Sequence, residues 1–136
     1  MSTRSEILIK DYGTYEGLKW KRSGKLYHHC DGYPSGVGKD LMERIYPMLV
    51  KSNNLGVDEI ANKLIKDKGN VDDGYEMTVY THADIEYFYE IDIPKKQIKC
   101  FKARYSYSKK YYKLNKGKEE DLMKFTVKDR VEVSYT

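Results

Sequence analysis

The sequence predicts an α+β fold in a single domain spanning residues 1–136, an antiparallel sheet with two helices between its N-terminal and C-terminal strands. Three observations carry that prediction. Residues alternate with period two near the N-terminus, and again in the run Ile85, Tyr87, Tyr89, Ile91, Ile93. Between them lie two stretches with the period of a helix. Clusters of Gly, Pro, Asn and Asp separate the runs, as turns require.

In chain order, Ser5 to Ile9 reads as a first strand with Ile7 and Ile9 on one face. Gly17 to Trp20 and Lys25 to Cys30 read as a hairpin around Arg22-Ser23-Gly24-Lys25, because Ser-Gly is a turn signal. Lys39 to Val50 reads as a helix, its stripe formed by Leu41, Met42, Ile45, Met48 and Leu49. Ser35 is placed as its N-cap, and Pro47 inside the pattern should kink or tighten it. A second helix, Val57 to Lys68, turns Val57, Ile60, Ala61, Leu64 and Ile65 inward and closes at Gly69-Asn70.

After the loop Asp72-Asp73-Gly74, Met77, Val79 and Thr81 share one face of a strand. The run from Ile85 to Ile93 is the clearest strand of the chain, and Ile98 to Tyr105 returns beside it after the turn Pro94-Lys95-Lys96-Gln97. Acids such as Glu90 should then face lysines of the return strand. Lys116 to Asp121 reads as a charged turn, and Val131 to Tyr135 as a short last strand.

A chain of 136 residues supports one modest core. Two cysteines make no disulfide framework, and neither a signal peptide nor a membrane span is evident, so a reduced, cytoplasmic protein is expected. Fourteen tyrosines against three phenylalanines and one tryptophan favour half-buried strands and interfaces. The net charge of +4 divides unevenly: residues 95–128 hold twelve Lys/Arg and three acids, and residues 1–94 hold twelve against sixteen. A basic C-terminal third suits a polyanion, or is simply a solvated lysine-rich face.

Chemistry concentrates in Tyr27 to Gly38, where a histidine-bearing strand end enters a turn with Gly32, Pro34, Gly36 and Gly38. Backbone amides at a glycine-rich helix start can cradle a phosphate or carboxylate. The stretch matches neither a Walker A loop nor a dinucleotide fingerprint, and the same glycines suit a tight connection with close packing. His28, His29, Cys30 and Asp31, with His82 and Asp84, contain metal-ligand types, but strand neighbours point to opposite faces, so no metal is assigned. A base at His28 or His29, an orienting Asp31 and a Cys30 nucleophile would need convergence that consecutive positions do not supply; no catalytic residue and no cofactor are assigned. Lys109, Lys110, Tyr111, Tyr112 and Lys113 could track a phosphate backbone while tyrosines stack on bases, or could guard an edge strand.

Thr3-Arg4-Ser5 opening a strand, followed by Asp31-Gly32-Tyr33-Pro34-Ser35-Gly36-Val37-Gly38 and Leu41, resembles a family of small phage and prophage proteins. The strand Asp84 to Asp92 is similar to that family's later aromatic strand, whereas the lysine-tyrosine tail lies outside the likeness. The resemblance implies an accessory protein acting in the cytoplasm of the infected host bacterium, within a group rich in antagonists of host defence. The expected function is therefore a non-enzymatic binding protein with two candidate targets. One is a nucleotide-like signal held by Arg4, His29, Asp31, Gly32, Tyr33, Ser35, Gly36 and Gly38; the other is a host defence protein met by a tyrosine-rich face. Nucleic-acid binding through residues 95–128 is the alternative, with a small phosphodiesterase-type hydrolase behind it. A homodimer is compatible with the tyrosines, and no membrane partner is expected.

Overall fold

A computed structural model describes residues 3–67, 74–80, 82, 84–108 and 111–124, with the side chains of 105–108 and 111–113 left undescribed. The expected closure at Gly69-Asn70, the position of Thr81 and the strand Val131 to Tyr135 lie outside the described residues. The fold is α+β. Among the described residues six strands form one sheet: β1 Ser5–Tyr15, β2 Leu18–His28, β3 Tyr75–Met77, β4 Tyr87–Asp92, β5 Gln97–Ser108 and β6 Tyr111–Glu120. Their order across the sheet is β3-β2-β1-β4-β5-β6. All neighbours are antiparallel except β1 and β4, which run parallel with Ile7 beside Tyr89 and Ile9 beside Ile91. The helices between β2 and β3 belong to the crossover that a parallel pair demands.

The first hairpin differs from the expectation. Its turn is Glu16-Gly17, with φ of 51° and 80°, and Tyr15 pairs with Leu18 across it. Two positive φ values are what a two-residue type I′ connection needs. The expected turn residues Ser23 and Gly24 lie inside β2, opposite Lys10 and Ile9. Gly24 marks a close approach: a Cβ there would sit 3.1 Å from Val57 Cγ1.

The expected first helix is two pieces, α1 Lys39–Arg44 and α2 Tyr46–Lys51, led in by a π-helical turn at Pro34–Gly38. The break falls at Ile45, because Pro47 has no N–H to bond the preceding turn. Ser35 does not cap it; Tyr33 stands at the cap position, its side chain making no capping bond to the helix, and Ser35 is exposed inside the π turn. Helix α3, Val57–Lys66, buries Val57, Ile60, Ala61 and Leu64, while Ile65 is 40% exposed. Each fully buried aliphatic side chain here contributes about 1.5–3 kcal/mol relative to exposure.

The main core lies on the helix side, where Ile7, Ile9, Leu26, Tyr89 and Ile91 of the sheet meet Leu41, Ile45, Leu49, Ile60 and Leu64. A smaller cluster on the opposite face joins Tyr27, Ile85 and Phe88. That face is also rich in charge. Glu90 lies opposite Lys99, as expected for the β4–β5 hairpin, and forms ion pairs with Lys10 at 3.9 Å and with Lys116. Two further expectations fail. The segment read as a charged turn, Lys116 to Asp121, belongs to β6 as far as Glu120, and the strand expected to carry both Met77 and Val79 ends at Met77, leaving Val79 beyond it.

Candidate functional site

The glycine loop is built for packing. Asp31 takes φ of 56°, its carbonyl accepts from the Val37 amide at 2.7 Å, and its side chain accepts from the Tyr33 hydroxyl at 2.9 Å. The Gly32 amide donates to the Thr3 carbonyl at 2.8 Å and the Gly36 amide to the Tyr33 carbonyl at 2.9 Å. Buried Tyr89 donates its hydroxyl to the Gly32 carbonyl at 2.6 Å. A Cβ on Gly32 would meet the Thr3 carbonyl at 2.7 Å, and one on Gly38 would meet Leu122 at 2.7 Å. The amides of Gly32, Gly36 and Val37 are thus spent inside the protein.

Arg4 and His29 do come together, on the flank of this loop. Arg4 Nε lies 3.4 Å from His29 Nδ1 and 3.3 Å from Asp84 Oδ2, while the Tyr27 hydroxyl lies 3.1 Å from the same His29 nitrogen. Donation by Arg4 makes Nδ1 the acceptor and places the ring proton on Nε2. Burial, first among its causes, raises the Tyr27 hydroxyl above its usual value. Tyr27 also stacks on His82 at 4.0 Å between centroids. Sequence reasoning missed the partner of His82: the fully buried Glu6 carboxylate accepts from the His82 backbone N–H at 2.8 Å and lies 2.7 Å from its Nδ1. Only a pairing across 76 residues reveals it.

The neighbouring His28 points the other way, as strand alternation requires, and packs its ring 4.7 Å from Tyr75. Cys30 is half-buried and Cys100 buried; burial, first among its causes, pushes the Cys100 thiol up to about 12. Among the described residues no group of three or more His, Cys, Asp or Glu side chains is placed to hold a metal ion. Lys109 and Lys110 lie outside the described residues, and Tyr111, Tyr112 and Lys113 are described only as strand backbone in β6.

A second place stands out, which sequence reasoning also missed. Strand β4 pairs with β1 only as far as Lys10, and β3 pairs with β2 only from Leu26 onward. The hairpin runs on past both. Every residue from 14 to 23 is exposed. Alternation sets Tyr15, Leu18 and Trp20 on one face of this ribbon, with exposures of 70%, 74% and 42%. Trp20 leans on Gly13, where a Cβ would lie 3.0 Å from the indole. Beside Trp20 a cleft of about 540 Å³ opens toward Asn54, Leu55 and Pro94. Lys19 and Lys21 occupy the opposite face. The available signal was Leu18 and Trp20 themselves: apolar residues in strand alternation with nothing in the sequence assigned to cover them.

Compared with protein-family models, curated proteins and solved structures, the chain matches none.

Proposed function

We propose that this chain is a phage-encoded, non-enzymatic binding protein that antagonises a bacterial host defence by occupying a host defence protein through the ribbon 14–23. The observation that supports this reading is the ribbon itself, ten consecutive exposed residues carrying Tyr15, Leu18 and Trp20 beyond the last paired residues of β3 and β4. Large apolar groups gathered on a projecting element are costly in water unless a partner covers them, and Trp, Tyr and Arg dominate binding energy where partners meet. The phage setting rests on the resemblance in residues 3–45 and 84–92. Sequestration of a nucleotide-like signal draws less support, because the loop amides are already bonded to Thr3, Tyr33 and Asp31.

The test is protection. Bacteria carrying single defence systems are made to express the protein and challenged with a sensitive phage. Wild type should restore plating on at least one system, and the double variant Leu18→Ala/Trp20→Ala, folded by circular dichroism, should lose at least tenfold of that gain. Full protection by the double variant would remove the ribbon from the function.

A further inference from the structure

The backbone of the ribbon supports a more specific statement, which rests on reading the ribbon as the contact arm. In a hairpin closed by two residues, the pair flanking the turn exchanges both hydrogen bonds, and bonded pairs then recur at every second position. Counting from Tyr15 and Leu18, the residues Leu18, Trp20, Arg22 and Gly24 turn their amides and carbonyls toward β1. Lys19, Lys21, Ser23 and Lys25 turn theirs to the outer edge. The last of these confirms the count, since the Lys25 carbonyl accepts from the Thr78 amide at 3.0 Å where β3 ends. Beyond it, Lys19, Lys21 and Ser23 continue the same lane with no described strand beside them.

The side chains on that lane define what fits. In the base of the sheet, lysines of this face are matched by carboxylates on neighbouring strands: Lys25 lies 3.7 Å from Glu6 and Lys10 lies 3.8 Å from Asp92. Among the described residues Lys19 and Lys21 have no such acid. A second copy of this chain fits poorly. Antiparallel self-pairing centred on Trp20, Lys21, Arg22 or Ser23 sets at least one lysine against another, which is destabilising.

We propose that the outer edge of β2 from Lys19 to Ser23 is a strand-addition site for an extended acidic segment of a partner protein, with Asp or Glu alternating with apolar side chains. The acids would face Lys19 and Lys21, the apolar residues would extend the Leu18–Trp20 face, and main-chain bonds would follow the direction of β3.

The experiment selects a displayed library of random ten-residue segments on the immobilised protein. Enrichment of segments with acids at alternate positions is expected, with binding that weakens as salt is raised. Ser23→Pro removes one outward N–H while sparing the bonds to β1, and should weaken the selected segments at least tenfold. Lys19→Glu/Lys21→Glu keeps every backbone group and should switch enrichment to lysine-bearing segments. No enrichment, enrichment indifferent to the charge reversal, or segments that bind Ser23→Pro as well as wild type would each overturn strand addition. Binding of a labelled single-stranded oligonucleotide that is lost on Lys19→Glu/Lys21→Glu would reassign the lysines to phosphate. If Leu18→Ala/Trp20→Ala loses protection while selection fails, the arm remains and strand addition falls. If the double variant also protects fully, the arm itself is removed.

Discussion

The β1–β2 hairpin is two different objects along its length. From Ser5 to Lys10 and from Leu26 to His28 it is interior: Ile7, Ile9 and Leu26 are fully buried beneath the helices. From residue 14 to residue 23 it is all surface, although the antiparallel register continues unbroken. The pairing pattern is the same in both halves. What differs is what lies on the faces and along the edges, namely α3, β3 and β4 in one half and no described strand in the other. Hydrogen bonding keeps a ribbon straight; burial is what makes part of it a core.

The sharpest way to test that contrast is to cut the ties of the base. Tyr75 of β3 donates to Asp40 at 2.7 Å, and Arg44 holds the same carboxylate through two bonds of 2.8 Å. Asp40→Ala would leave the buried Tyr75 hydroxyl without its acceptor and the largely buried Arg44 guanidinium with Asp67 alone, and should cost about 3 kcal/mol in urea unfolding. Next in size, Leu26→Ala should cost about 2–5 kcal/mol. Leu18→Ala, eight residues along the same strand, should stay within about 0.5 kcal/mol. Equal costs for the two leucines would contradict the division of the hairpin.

Alkaline pH separates the halves again. Burial, the leading cause in each case, raises Tyr75, Tyr89 and Cys100, the last from 9.0 to about 12. With its pKa raised in the folded state, Cys100 contributes its full share of stability below the unfolded value of 9.0, and that share is lost as pH rises toward about 12. Stability should therefore fall above pH 9, by up to about 1.4 kcal/mol per pH unit for each group. Cys100→Ala should delay the onset to the tyrosine range, as read from urea midpoints against pH. The smallest effect belongs to the tip. Glu16 holds φ of 51°, so Glu16→Asn should gain about 0.5 kcal/mol by suiting the left-handed turn, with binding unaffected.

Particular residues show how much was legible. The Pro47 break, the buried stripe of α3 and the β4–β5 hairpin follow from local rules, because a missing N–H, a helical period and a proline turn act within a few residues. Gly24 misled because a glycine serves a turn and a close approach equally well; Val57, which decides between them, is 33 residues away. Lys116 to Glu120 misled because a charged edge strand and a charged turn share a composition. Of the residues expected to form the ligand site, Arg4 and His29 meet, while the Gly32 and Gly36 amides are consumed by Thr3 and Tyr33, and the Val37 amide beside them by Asp31.

By itself the sequence determined the α+β class, the helical pair and the strand periods, since those follow from side-chain spacing along one chain. Tertiary structure alone decided the parallel joining of β1 to β4, the Glu6–His82 contact, and the point at which the hairpin leaves the sheet. Each depends on which strands end beside which, and residue spacing within a strand carries no record of where its neighbour stops.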